Sequence, residues 1–173
     1  MPKRELHPVC SYPLNVELPV TMINTCSPRT YESMLRMLDL HRIPVPETVM
    51  FRKIPISTIL ENDEYVSRLL DYFRMGFGEF MAKVEVGKIS REELEDVVAG
   101  VSGMSLIELR MKLFERFERV SANNLRIRLS GVYHPPVVSR NYVVIDGAHR
   151  TVALAHIGVD EIYCWFLDIQ FWG

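Results

Sequence analysis

The chain has 173 residues, 48% of them hydrophobic and 24% charged, the composition of a globular protein of about one domain. Twenty Lys plus Arg against 22 Asp plus Glu leave a net charge of −2, which argues against broad neutralisation of nucleic-acid phosphates and against sequence-specific DNA as a partner. No apolar run reaches the roughly 18–20 residues of a membrane helix, and the N-terminus lacks the apolar core of a signal peptide, so a cytoplasmic protein away from membranes is expected. Cys10, Cys26 and Cys164 are an odd set, at spacings of 16 and 138. They fit neither a disulfide framework nor a zinc pair, and reduced thiols are expected.

In chain order, residues 1–27 carry Pro2, Pro8, Pro13 and Pro19 and predict extended or irregular structure, because each proline removes a backbone donor. Ser27 as a cap, Pro28 in the first turn and the spacing of Tyr31, Met34, Leu35 and Leu38 predict a helix over 28–40. Prolines at 44 and 46 close it, and Thr48–Ile54 reads as a strand. The spacing of Val66, Leu69, Leu70 and Phe73 predicts a helix over 63–74, with the acidic run 61–64 at its positive end. Residues 76–122 read as helical with glycine punctuation, including a capping box at Ser90 and Glu93 and a best helix over 105–120. The charged residues of that helix are expected to form a solvated face.

Beyond residue 122 the pattern turns to strands. Leu125–Leu129 alternates at period two, residues 137–145 suggest a hairpin turned near Arg140 and Asn141, a short helix follows over 151–157, and a last strand spans 161–168. Asp146, Gly147, Ala148, His149 and Arg150 join the hairpin to the short helix. A strand that enters a glycine turn and then a helix presents free backbone N–H groups and the positive end of the helix dipole, which suits an anion. Arg150 can fork two phosphate oxygens and His149 can add a donor. Asp146 would orient Arg150, bind Mg²⁺ or cap the turn, and the alternative for the whole unit is a capped turn with exposed polar residues.

The run YVVIDGAHRTVALAHIGVDEIYCWF, residues 142–166, resembles the signature of the ParB/sulfiredoxin superfamily. A preceding block, RKIPISTIL at 52–60 with acidic residues and RLLDYF at 68–73, is similar to the family's opening strand, loop and first helix. The YHPPVV segment at 133–138 resembles its lead into the motif strand. The resemblance covers about 45–75 and 125–168. It implies an α/β (α+β) fold with a small mixed sheet in a domain at 46–173, a helical insertion at 76–124 and an N-terminal extension at 1–45. It also implies a nucleotide held by its phosphates at the motif turn.

Departures from the family pattern narrow the expected activity. Sulfiredoxins carry a reactive cysteine where this chain has Ala148, and partition proteins carry DNA-binding domains after the motif, where this chain has 23 residues. The branch that phosphorylates free serine has a turn similar to DGHHR and a glutamate in the loop before the first helix. Carried over, Glu64 and then Asp63 are the candidate catalytic bases, with Asp146, Gly147, Ala148, His149, Arg150 and Arg68 holding ATP or ADP and Mg²⁺. The implied reaction is phosphoryl transfer to a hydroxyl of a small metabolite. The alternative is a nucleotide-binding or DNA-associated module without turnover. Glu64 is equally the type of residue that merely suits a helix N-terminus. Arg126, Arg128 and Arg140 flank the motif, either as further phosphate contacts or as solvent-facing residues, and His134 could contact a nucleotide base or accept a proton or simply be exposed. His156 and Cys164 read as packing residues.

Overall fold

The computed structural model describes residues 5–173, so Pro2 lies outside the described residues. The protein is a mixed α/β structure, as expected. The elements are β1 (His7–Pro8), β2 (Glu17–Pro19), α1 (Met22–Cys26), α2 (Pro28–Leu40), β3 (Thr48–Pro55), α3 (Ile56–Asn62), α4 (Glu64–Met75), α5 (Phe77–Glu85) and α6 (Arg91–Leu94). They continue with a 3₁₀ turn at Val101–Gly103, α7 (Leu106–Ser130), β4 (Val132–Tyr133), β5 (Val137–Ser139), β6 (Val144–Asp146), α8 (Ala148–Ile157) and β7 (Glu161–Leu167). The main sheet has the order β2-β3-β7-β5-β6, with β5 parallel to β7 and the other pairs antiparallel. A separate parallel pair joins β1 to β4.

The alternation of side chains along β3 and β7 builds two apolar layers. Ile54, Ile162, Cys164 and Phe166 face a core made with α4, α7 and α8, whereas Val49, Phe51, Trp165 and Leu167 face Ile23, Met34 and Leu38 of α1 and α2. Both faces of the sheet are therefore covered, and the N-terminal extension supplies an edge strand and a whole covering layer. Among the described residues no helix is long and apolar enough to cross a membrane.

Four expectations are corrected. Residues 125–129 are not a strand but the last turns of α7, in which Ile127 lies seven positions after Val120 on the same buried face. Leu125 and Leu129, which mimicked alternation, are 60% and 73% exposed. A five-residue stretch satisfies both periods, and the longer helical register decides. Second, α8 starts at Ala148 rather than at 151, so the motif turn is itself the helix entry. Third, a short helix at 22–26 stands where extended or irregular structure is expected, and a further helix fills 56–62 directly after β3.

Fourth, Cys10 and Cys26 are not free thiols: they form a disulfide, with Cα atoms 5.8 Å apart, that ties the N-terminal arm to α1. Cys164 is free and fully buried, as its packing role required. At Ser90 half of the expected capping box forms. The Ser90 hydroxyl accepts from the Glu93 N–H, but the Glu93 carboxylate turns away to accept from the Tyr72 hydroxyl at 2.9 Å.

Candidate functional site

The strand β6 ends at Asp146, and Gly147 turns the chain into α8 with φ +95°. A side chain is excluded at Gly147, because a Cβ would lie 2.7 Å from Arg150 Nη2 and 2.8 Å from Pro136 Cβ. Arg150 is therefore packed beneath the turn. Its Nη2 donates to Asp146 Oδ2 and to Thr30 Oγ1, each at 3.3 Å, and its Nε is buried without an acceptor. Burial raises the Asp146 carboxyl against the opposing pull of Arg150, and burial lowers the Arg150 guanidinium. Oδ1 of Asp146 has no hydrogen bond among the described residues.

No side chain caps α8, so its first-turn N–H groups open onto solvent space rather than onto a protein acceptor. That space is a cleft of about 740 Å³, lined on one side by Asp146, Gly147, Ala148 and His149. Its other walls bring Asp63, Glu64 and Tyr65 from the start of α4, Glu95 and Asp96 from the segment after α6, and Arg119 from α7. His41 just after α2, Phe171 and Trp172 complete the rim, with Trp172 70% exposed. Residues 63–65 and 146–149 thus meet at one cleft, whereas Glu61 and Arg150 do not line it.

Within the cleft the two acidic candidates differ. Asp63 is buried, with Oδ1 accepting from the Val66 N–H at 3.1 Å and Oδ2 from the Val144 N–H at 2.8 Å. Burial raises its pKa and the backbone donors oppose that rise. Both oxygens are committed to holding α4 against β6. Glu64 is the accessible one: its side chain is 76% exposed and, among the described residues, it pairs with Arg68 at 3.6 Å.

Arg68 stands outside the cleft lining. Its guanidinium is held at 3.1–3.6 Å by Glu93, Asp96 and Glu64, a network that orients Glu64 instead of reaching a phosphate. Arg140 pairs with Asp168 at 3.3 Å, Arg126 and Arg128 ride on the last turns of α7, and His134 is exposed and does not line the cleft. His156 lies edge-on to the Phe73 ring.

His149 shares a 2.9 Å hydrogen bond through Nε2 with the Tyr65 hydroxyl. Burial first, and then the positive charges of Arg119, Arg116 and Arg150, lower its pKa to about 4, so the imidazole is neutral at physiological pH. Burial raises the Tyr65 phenol, opposed by Arg116 and Arg119. Tyr65, Arg119 and the Phe171–Trp172 rim were not anticipated from sequence. The available signal was the i, i+3 spacing of Arg116 and Arg119, which puts both on one helix flank, but the side of α7 that faces the cleft is set by distant packing.

Among the described residues no three His, Cys, Asp or Glu side chains converge to hold a metal ion unaided. Mg²⁺ with a nucleotide normally takes one or two carboxylates plus phosphate oxygens, and the free Oδ1 of Asp146 beside an uncapped helix entry fits that smaller set. The chain matches no family model, no curated protein and no solved structure.

Proposed function

We propose that the cleft binds the phosphates of ATP or ADP with Mg²⁺ and transfers a phosphoryl group to a hydroxyl of a small metabolite, in line with the ParB/sulfiredoxin resemblance. One observation carries the reading: the uncapped entry of α8 and an exposed carboxylate, Glu64, drawn from segments some eighty residues apart, face the same cleft. The free N–H groups at Ala148 and His149 and the helix dipole hold phosphate oxygens. Asp146 would hold Mg²⁺, which supplies charge neutralisation at the phosphates.

Glu64 accepts the proton of the acceptor hydroxyl. As that oxygen forms its bond to the terminal phosphorus, the bond from phosphorus to the nucleotide's bridging oxygen breaks, and the nucleotide leaves one phosphate shorter. Tyr65 and neutral His149 line the path as hydrogen-bonding groups that add no charge. Arg150 acts as a positioning residue, bracing the turn from below through Asp146 and Thr30.

The test is a thermal-shift screen with Mg²⁺ and ATP, ADP, CTP or GTP, followed by transfer assays against hydroxyl-bearing amino acids and sugars. A ligand at a hundred times its dissociation constant adds about 2.7 kcal/mol, a shift of several degrees. Glu64→Gln is expected to keep the shift and lose transfer. Absence of a shift with every nucleotide would sink the reading.

A second reading, a nucleotide-binding module that docks a partner without transfer, is favoured by a stripe of exposed apolar side chains along α7: Ile107, Met111, Phe114, Leu125 and Leu129. Nucleotide binding with no transfer to any acceptor would favour it over catalysis. Affinity for DNA that falls steeply with salt would instead point to a DNA-associated module.

A further inference from the structure

Among the described residues, Arg116 and Arg119 of α7 take part in no ion pair; the cations that do are Arg68, Lys83, Arg110, Arg140 and Arg150. Arg119 lines the cleft, and Arg116, one turn earlier on the same flank, is half-buried with its Nε shut off from solvent and without an acceptor. An arginine nitrogen buried unpaired costs free energy that a bound acceptor recovers. The positive charges of both residues reach the Tyr65 hydroxyl and the His149 ring on the facing wall, where the uncapped N-terminus of α8 adds a third source of positive potential.

Resting on the phosphate reading of the cleft, we infer that Arg119, backed by Arg116, is the cationic phosphate clamp of this site, and that Arg150 is not. The clamp comes from the helical insertion at 76–124, while the opposing donors come from the turn at 146–149. A polyphosphate bridging them is gripped from two sides, and ligand binding would draw α7 and α8 onto the same anion. The acids Glu64 and Asp96 are already engaged by Arg68 in this structure, so they do not compete for Arg116 and Arg119.

The experiment compares Arg119→Gln, Arg116→Gln, Arg119→Lys and a control on the same helix, Lys112→Gln, by calorimetric titration with Mg²⁺-ATP and with pyrophosphate. Glutamine preserves helix propensity. Charge-assisted hydrogen bonds of this kind predict a roughly 10- to 100-fold weakening for each glutamine variant, a smaller loss for Arg119→Lys and none for Lys112→Gln. A second readout needs no ligand: the His149 resonance should titrate at higher pH in Arg119→Gln, because one of the charges that holds it low is gone.

Wild-type affinity retained in both glutamine variants overturns the clamp while leaving the phosphate site in place. Absence of nucleotide and pyrophosphate binding in the wild type overturns the site and the clamp together. An unmoved His149 titration in Arg119→Gln would show that the arginine does not face the cleft as required.

Discussion

The carboxylate of Asp63 accepts the backbone N–H of Val144 at 2.8 Å, across 81 positions of chain, while its other oxygen caps α4 at Val66. This one side chain sets the spacing between the helix that carries Glu64 and Tyr65 and the strand that leads into the motif turn. Removing it orphans a buried N–H and a cap together. Asp63→Ala is expected to lower unfolding free energy by about 2–4 kcal/mol, and Asp63→Asn to restore part of it, as measured by urea denaturation. Equal stability of the alanine variant would remove Asp63 from this role.

Gly147 supports the opposite wall. A methyl group there meets Arg150 Nη2 and Pro136 Cβ inside contact distance, at a backbone φ of +95° that L-residues rarely adopt. Gly147→Ala is expected to cost about 2–4 kcal/mol from strain and overpacking. Chemical denaturation reads the cost, and a loss of nucleotide affinity beyond it would show that the turn itself is displaced.

His149 makes stability depend on pH in a defined window. Its folded pKa of about 4 lies below the ordinary histidine value of 6.5, so between those values the unfolded chain binds the extra proton. The contribution is fully present above pH 6.5 and is lost as pH falls toward 4, with a total on the order of 3 kcal/mol. Asp63 and Asp146, both raised, act with the opposite sign above 3.8. His149→Gln removes the titration but keeps a polar partner for Tyr65, so the wild-type excess in stability should shrink from pH 6.5 to pH 4. A constant difference would contradict the buried neutral imidazole.

The Cys10–Cys26 bond closes a loop of 16 positions, for which chain entropy predicts about 3 kcal/mol of stabilisation. Native, non-reduced protein should take up no alkylating reagent, since Cys164 is buried, and denatured non-reduced protein should take up one equivalent. Three equivalents in the latter state would show that the bond is absent.

Much of the path to the cleft was legible in local pattern. Pro28 and the spacing of Met34 and Leu38 were enough to place α2, and the β-rich run Thr48–Ile54 after the prolines at 44 and 46 was enough to place β3, because these signals act between near neighbours. The stretch at 125–129 misled for the same reason: over five residues Leu, Ile and Leu satisfy a strand as well as a helix, and only its continuity with Val120 decides. Asp63 and Glu64 look alike in sequence, and burial alone separates a structural cap from an available carboxylate.

Propensity, periodicity and turn chemistry act locally, so they suffice for the helices with long apolar periods, the mixed α/β class and the glycine turn into a helix at 146–150. The three-dimensional packing is what brings this turn to face Glu64, puts Arg150 beneath it and Arg119 across the cleft from it, and lets Cys10 reach Cys26. Each of these depends on which faces of distant elements are driven together by burial of the two apolar layers around the sheet, a quantity that no short window of residues contains.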